Sequence, residues 1–397
     1  MMNRLALSHP LVRTALCALL LLLPAGSAWN LAVATSHPEL AIRIGPKLGG
    51  VTYDTPVILS WSSLRDGSFQ KAVAGRVTDA MPIRPLLIRI NNEIRFELFG
   101  DLTAPQVVKG ANGQLIERSY LEEYCARTEG MGATLAAEVI PKLKEIQNYY
   151  RTRGDIFLYV VSPSKAAHLP EYFVDRVPCP STPAARSQMV LQYVSALKQA
   201  GIDVVDTASL IHSLKGRYEV DLFPQGGVHW NEIGGARAAS AIVEAINRQA
   251  GREIVPPFTF TYTLSGVASG ADRELVDLLN VFFPPLGYLT PKVKFSPSAS
   301  CADHPARRLD VAMVTSSFGH LLAQILIEDN CLSGLNLYYY AHLGRFGGVP
   351  YHELQRNLGA PDLARLRDAK IMIVEENESF VARSSYVDEL LAVLNRP

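Results

Sequence analysis

The stretch IFLYVVSPSKAAHLPEYF, Ile156 to Phe173, carries an apolar run that ends abruptly in a serine, a proline and, two residues on, a lysine. A run this short with no polar face suits a strand buried on both sides, as in a parallel sheet covered by helices. Working outward, the same texture returns in IDVVD (Ile202 to Asp206), LDVAMVT (Leu309 to Thr315) and KIMIVEE (Lys370 to Glu376), with LNLYYY from Leu335 a weaker instance. Helical patterns fill the intervals, at about Thr134 to Tyr150, Ala184 to Ala200, Asn231 to Ala250, Arg273 to Phe282, Phe318 to Glu328 and Tyr386 to Leu394. In the third, Ile233, Ala236, Ala239, Val243 and Ile246 recur at three- and four-residue spacing and form one apolar stripe. The alternation predicts an α/β domain over residues 111–397, a parallel sheet with helices on both faces. Residues 37–110 lack it and read as an irregular N-terminal arm that ends at the turn signal Gly110-Ala111-Asn112-Gly113.

Arg4 and Arg13 precede ALCALLLLL (Ala15 to Leu23), and no charge occurs between Thr14 and Ser36. Residues 1–36 therefore read as an export segment, with two versions open. Pro24 and the small residues Gly26-Ser27-Ala28 fit a cleaved signal peptide, whereas the uncharged length fits a membrane anchor. Both put the remainder outside the cytoplasm. The composition agrees with a large folded core, because 48% of the 397 residues are hydrophobic and 19% charged. With 38 basic and 38 acidic residues there is no basic excess to attract nucleic acid. Beyond Cys17 in the export segment stand Cys125, Cys179, Cys301 and Cys331, without the CxxC spacing of a zinc or redox motif. Two disulfides and buried free thiols are both compatible with this. The strand, turn and helix pattern between Cys301 and Cys331 favours pairing those two.

In an open parallel sheet, ligands sit beyond the carboxyl ends of the strands, which directs attention to the residues that follow each one. Lys165 follows the first strand, Asp206 ends the second, Thr315-Ser316-Ser317 follow the third, and Glu375-Glu376-Asn377 end the last. Ser317 is the candidate nucleophile, since a strand-to-helix turn exposes a hydroxyl and aims nearby N–H groups at a developing oxyanion. Such a hydroxyl needs a base, and His229 in GGVHWNEIGG (Gly226 to Gly235) is the candidate. The bland readings are a helix-capping serine and a structural histidine. His320 is the rival base, although one turn into a helix it is less well placed. Trp230 is a candidate for substrate contact, against a core or cleft wall, and Lys165 for substrate contact or loop anchoring, against a solvated loop charge.

Several of these pieces together resemble one family, the SGNH hydrolase-like O-acetyltransferases of exopolysaccharide export, of the alginate O-acetyltransferase AlgJ/AlgX type. WSSLRDGSFQKAV and RPLLIRINN resemble its arm, VVKGANGQLIERSYLEEY its entry segment and VVSPSKAAHLPEYF its Pro-x-Lys strand. GGVHWNEIGGARAA is similar to its His-Trp block, MVTSSFGHLL to its nucleophile block and DAKIMIVEENESF to its terminal strand. The order, His229 well before Ser317, also follows this group. The resemblance implies a flavodoxin-like sheet, a Ser-His-Asp triad, no metal or cofactor, and a periplasmic location. It implies acetyl transfer from a donor relayed by a membrane acyltransferase to a polysaccharide hydroxyl. An acetylesterase, with water as acceptor, and a silent polysaccharide-binding or scaffold member are the rival readings.

Two departures from the family pattern stand out. Its Asp-x-His-Trp is here Gly227-Val228-His229-Trp230, and its glycine before the nucleophile is replaced in Thr315-Ser316-Ser317. Asp221, Glu232 and Asp206 are the candidate carboxylates for orienting His229.

Overall fold

A computed structural model describes residues 10–33, 36–51, 58–301, 304–328, 331–339, 342–346, 352–355 and 360–395. The chain divides into two compact units, one of residues 1–104 with 276–284, the other of residues 105–275 with 285–397. The strands are β1 (Val107–Lys109), β2 (Leu115–Glu117), β3 (Ile156–Ser162), β4 (Val204–Asp206), β5 (Phe258–Ser265), β6 (Thr290–Pro297), β7 (Val311–Thr315), β8 (Leu335–Tyr339), β9 (His342–Phe346), β10 (His352–Gln355) and β11 (Ile371–Asn377). Seven of them form one sheet in the order β10-β9-β8-β7-β11-β3-β4. From β8 to β4 it is parallel, and β9 and β10 extend it in antiparallel fashion.

Every residue of β3, β7 and β11 is buried, the apolar runs as expected of strands covered on both faces and with them the polar ends Ser162, Thr315 and Glu375-Glu376-Asn377. Phe157, Tyr159, Val161, Ala312, Val314, Met372 and Val374 point to one face, where they pack with Leu135, Val139, Leu143 and Ile146 of the helix Met131–Arg151, with Met189 and Tyr193 of Pro183–Gln199, and with Leu390 of Tyr386–Leu394. Successive strand side chains alternate, so the remaining residues face the other side. There the helix Glu232–Ala250 packs along β3 and against Gly319–Glu328. The result is the expected α/β sheet with helices on both faces. β4 lies to one side of β3 and β8 lies beyond β7, so the crevice expected of such a sheet opens at the carboxyl ends of β3, β11 and β7.

Three expectations are corrected. The helix expected at Arg273–Phe282 shrinks to Glu274–Asp277, because Asn280 takes a positive φ of 51° and ends any continuation. The arm is more regular than its sequence indicates, with helices Trp61–Arg65, Ser68–Asp79 and Arg84–Phe99. Leu87, Ile90, Ile94 and Leu98 of the last stand at the spacing of an amphipathic stripe, yet they stay exposed. Finally, residues 276–284, which interrupt the second unit in sequence, belong to the arm. The Asn92 side chain donates to Leu279 O at 2.9 Å, and the Glu93 carboxylate accepts from Phe282 N at 2.6 Å.

Two disulfides are formed, Cys125–Cys179 and Cys301–Cys331. Residues 10–33 are helical, and among the described residues no helix is long and apolar enough to cross a membrane.

Candidate active site

The loop before the helix Glu232–Ala250 is fixed from its far end by Asn231. Its Oδ1 accepts from the amides of Ile233 and Gly234, both at 3.1 Å, and its Nδ2 donates to Asp221 O at 2.8 Å. An asparagine cap of this kind satisfies the first orphan amides of the helix and sets the direction from which the chain arrives. His229 and Trp230 are consequently delivered against Phe318, with ring centroids 4.7 Å and 5.5 Å from the Phe318 ring.

The second piece is the turn between β7 and the helix Gly319–Glu328. Glu375, on neighbouring β11, reaches under it from the sheet interior. Its carboxylate accepts from Thr315 Oγ1 at 2.7 Å, Ser316 N at 2.9 Å and Ser316 Oγ at 2.7 Å, and also from Ser162 Oγ. Burial pushes the Glu375 carboxyl up, and these donors oppose the shift. Glycine is needed at position 319, where a Cβ would fall 1.7 Å from Thr315 Oγ1. With Phe318 N bonded to Ser316 Oγ and Gly319 N to Ser316 O, the turn presents Ser317 outward, and the Ser317 amide has no partner among the described residues.

The two pieces meet. His229 Nε2 lies 2.7 Å from Ser317 Oγ, and His229 Nδ1 lies 2.5 Å from Glu274 Oε1. The same carboxylate oxygen accepts from Val228 N at 3.0 Å and His229 N at 3.3 Å, so it is fixed to the loop backbone as well as to the ring. A carboxylate on Nδ1 requires the proton there and leaves Nε2 as acceptor toward the serine, the tautomer a general base needs. Gly227 explains why this carboxylate comes from elsewhere. A Cβ at position 227 would lie 2.1 Å from Ala271 O and 2.8 Å from Pro224 Cγ. The chain that excludes a side chain at 227 is the chain that carries Glu274, and Leu275 N donates to Gly226 O at 2.9 Å.

The carboxylates weighed from sequence are engaged elsewhere. Asp221 accepts from Gln114 Nε2 at 3.4 Å, Glu232 holds Val293 N at 2.7 Å, and Asp206 caps its own helix through Ser209 N at 2.9 Å. Two substrate-contact expectations are also corrected. Trp230 is 1% exposed and walls the interior beside Phe318 instead of offering a stacking face. Lys165 is 0% exposed, and all its donors go to backbone carbonyls. His320 stacks edge-on against Tyr339 at 4.6 Å, and burial, reinforced by nearby His229, lowers its pKa. Sequence reasoning missed Glu274, since one acidic residue in SGADRELVD has no distinguishing neighbour. Glu375 was visible only as a strand-end acid.

Beside the site runs a second polar chain. His168 Nδ1 lies 3.2 Å from His212 Nδ1, His212 Nε2 2.8 Å from Glu378 Oε1, and Glu378 Oε2 3.4 Å from Arg127. Burial pushes the Glu378 carboxyl up, but His212, Arg127 and the Ser164 amide more than offset it and bring it down to about 2. Burial, with His212 adding to it, holds His168 down to about 3.

The mostly parallel sheet thus carries a Ser-His-carboxylate chain at its carboxyl edge, an arrangement able to activate a serine hydroxyl. Residues 119–280 match the family model described as SGNH hydrolase-like domain, acetyltransferase AlgX. The matched segment includes His229 and Glu274, and Ser317 lies beyond it. Over 187 residues the chain is 24% identical to the probable alginate O-acetylase AlgJ of Pseudomonas putida, covering 47% of this chain and 46% of that protein. The alignment thus spans about half of each. Among solved structures, the O-acetyltransferase domain of Pseudomonas putida AlgJ is similar at 16% identity and a TM-score of 0.46, over 72% of this chain and 99% of that one. Pseudomonas aeruginosa AlgX is similar at 15% identity and a TM-score of 0.49, over 73% and 67%.

Proposed function

We propose that this chain is a serine-dependent O-acetyltransferase that modifies hydroxyl groups of an exported polysaccharide of the alginate kind. The observation that carries the reading is the unbroken chain Ser317 Oγ, His229 Nε2, His229 Nδ1, Glu274 Oε1, with links of 2.7 Å and 2.5 Å. Ser317 Oγ attacks the acetyl carbonyl of the donor while His229 Nε2 takes the hydroxyl proton. The imidazolium, held by Glu274, returns that proton to the leaving group, and acetyl-Ser317 remains. A sugar hydroxyl then gives its proton to His229 and attacks the ester, which regenerates Ser317. The free Ser317 amide supplies one donor to the oxyanion of each tetrahedral intermediate.

The basic, apolar N-terminal segment and the two disulfides support a location in an oxidising compartment outside the cytoplasm, the periplasm in this reading. A membrane acyltransferase that relays acetyl groups is the partner the reading calls for. The test is incubation with an activated acetyl ester followed by peptide mass spectrometry. One acetyl group is expected on the Ser317 peptide, and its absence from the native protein overturns the reading. With an acidic oligosaccharide present, faster acetylation of the sugar than release of acetate separates a transferase from an esterase.

A further inference from the structure

Residues 224–227, immediately before His229, turn their carbonyls inward, and each one is accounted for. Lys165 Nζ donates to Pro224 O at 2.6 Å, Gly227 O at 2.9 Å and Gln225 O at 3.2 Å, and Gly226 O accepts from Leu275 N at 2.9 Å. An ammonium has three N–H groups and no acceptor, and three carbonyls meet it here. Lys165 is fully buried, and its partners among the described residues are these backbone carbonyls. A buried cation stays folded only where its donors are satisfied, so the loop carbonyls are its solvation shell. Burial pulls the ammonium well below its usual range, with Asp221 and Glu274 opposing from a distance.

The lysine is itself held. Ser164 caps its short helix by accepting from Ala167 N at 3.3 Å, and Ser164 N donates to the buried Glu378 at 2.7 Å. On the other side of the loop, Ala271 excludes a side chain at Gly227, and Leu275 bonds to Gly226. The base loop is gripped between a buried ammonium and the segment that brings Glu274.

We infer that Lys165 is a positioning residue for His229: it fixes the 224–227 loop so that the imidazole bridges Ser317 and Glu274, and it makes no contact with substrate. This rests on the acyl-transfer reading above for its catalytic consequence, but not for its structural one. The full chain with Lys165→Met and with Lys165→Arg tests it, using an activated acetyl ester as substrate and the far-downfield proton resonance of the His229 Nδ1–H···Glu274 bond as a second readout. Lys165→Met is expected to lower kcat on the order of 10²-fold, the effect of misplacing a reacting group by about an ångström, with KM unchanged. The downfield resonance is expected to shift or vanish, while far-UV circular dichroism stays native. Lys165→Arg, which keeps the charge and donors in a larger fork, is expected to fall between, and it decides the matter if the Met variant does not fold. A raised KM with native kcat returns Lys165 to substrate contact and overturns the inference, as does an unmoved resonance. If the native protein turns over no ester, the acyl-transfer reading fails by itself, and the resonance still tests the clamp.

Discussion

The base loop and the nucleophile turn solve one problem with opposite charges. The carbonyls of Pro224, Gln225 and Gly227 converge on the buried Lys165, whereas residues 315–316 present hydroxyls and an amide that converge on the buried Glu375. The sign of the buried charge follows from which backbone and side-chain groups the turn points inward, because an unpaired donor or acceptor there costs about 1–3 kcal/mol. Glycine serves each for the same reason, close approach: Gly227 to Ala271 O and Gly319 to Thr315 Oγ1. The difference is that the turn carries its reacting group directly, while the loop carries a base that still needs an external carboxylate.

The most severe break is Ser317→Ala. Turnover of an activated acetyl ester is expected to fall by about 10⁶-fold, the scale of losing a nucleophile, with no acetylated protein in the mass spectrum. Next is Glu274→Gln, which preserves shape but lets His229 adopt the wrong tautomer. A fall in kcat/KM of about 10³–10⁴-fold is expected, and a fall under about tenfold would show that the ring is oriented without Glu274. Adding Gly227→Asp to that variant is not expected to restore activity, since the new side chain meets Ala271. Were it to restore activity, the account of why the carboxylate moved would be wrong.

Smaller in effect is Glu375→Gln. An amide cannot accept from every group around it, so thermal melting is expected to report a loss of about 1–3 kcal/mol. Ser317 acetylation should slow along with it, and a native melt would remove the anionic half of the comparison. The mildest prediction concerns pH. His168 is held down to about 3 in the fold against 6.5 unfolded, so between those values the unfolded chain binds more protons and stability rises with pH. Stability is therefore lost as pH falls below about 6.5, by at most about 1.4 kcal/mol per pH unit from this group. The lowered pKa of Glu378 contributes stability that is lost further down, as pH falls toward about 2. Denaturant titrations of His168→Phe across this range should show a flatter slope than the native protein.

The local signals served well where one residue type has one job. Apolar runs announced β3, β7 and β11, the stripe from Ile233 to Ile246 announced its helix, and Ser317 and His229 stood at the ends where an open sheet places chemistry. Of the roles open to Lys165 in the sequence, solvated charge, substrate contact or loop anchor, its three carbonyl contacts fit the anchor. A lysine after a strand looks the same in sequence whether its ammonium meets solvent, ligand or three carbonyls. The arm helix Arg84–Phe99 was missed although Leu87, Ile90, Ile94 and Leu98 stand at helical spacing, and the stripe they form stays exposed.

The sequence by itself determined the α/β alternation, the candidate pair Ser317 and His229, and the glycine at 227 where the pattern it resembles has aspartate. Only the tertiary structure decided which carboxylate orients the base. Glu274 is 45 residues from His229 in the chain, and that distance closes through the fold, with no local pattern to mark it. Hydrophobic periodicity is a local record of burial and can be read along the chain. The partner of a polar atom is chosen by three-dimensional proximity and by which alternative is sterically excluded, and here the carbonyl of Ala271 excluded the nearer one.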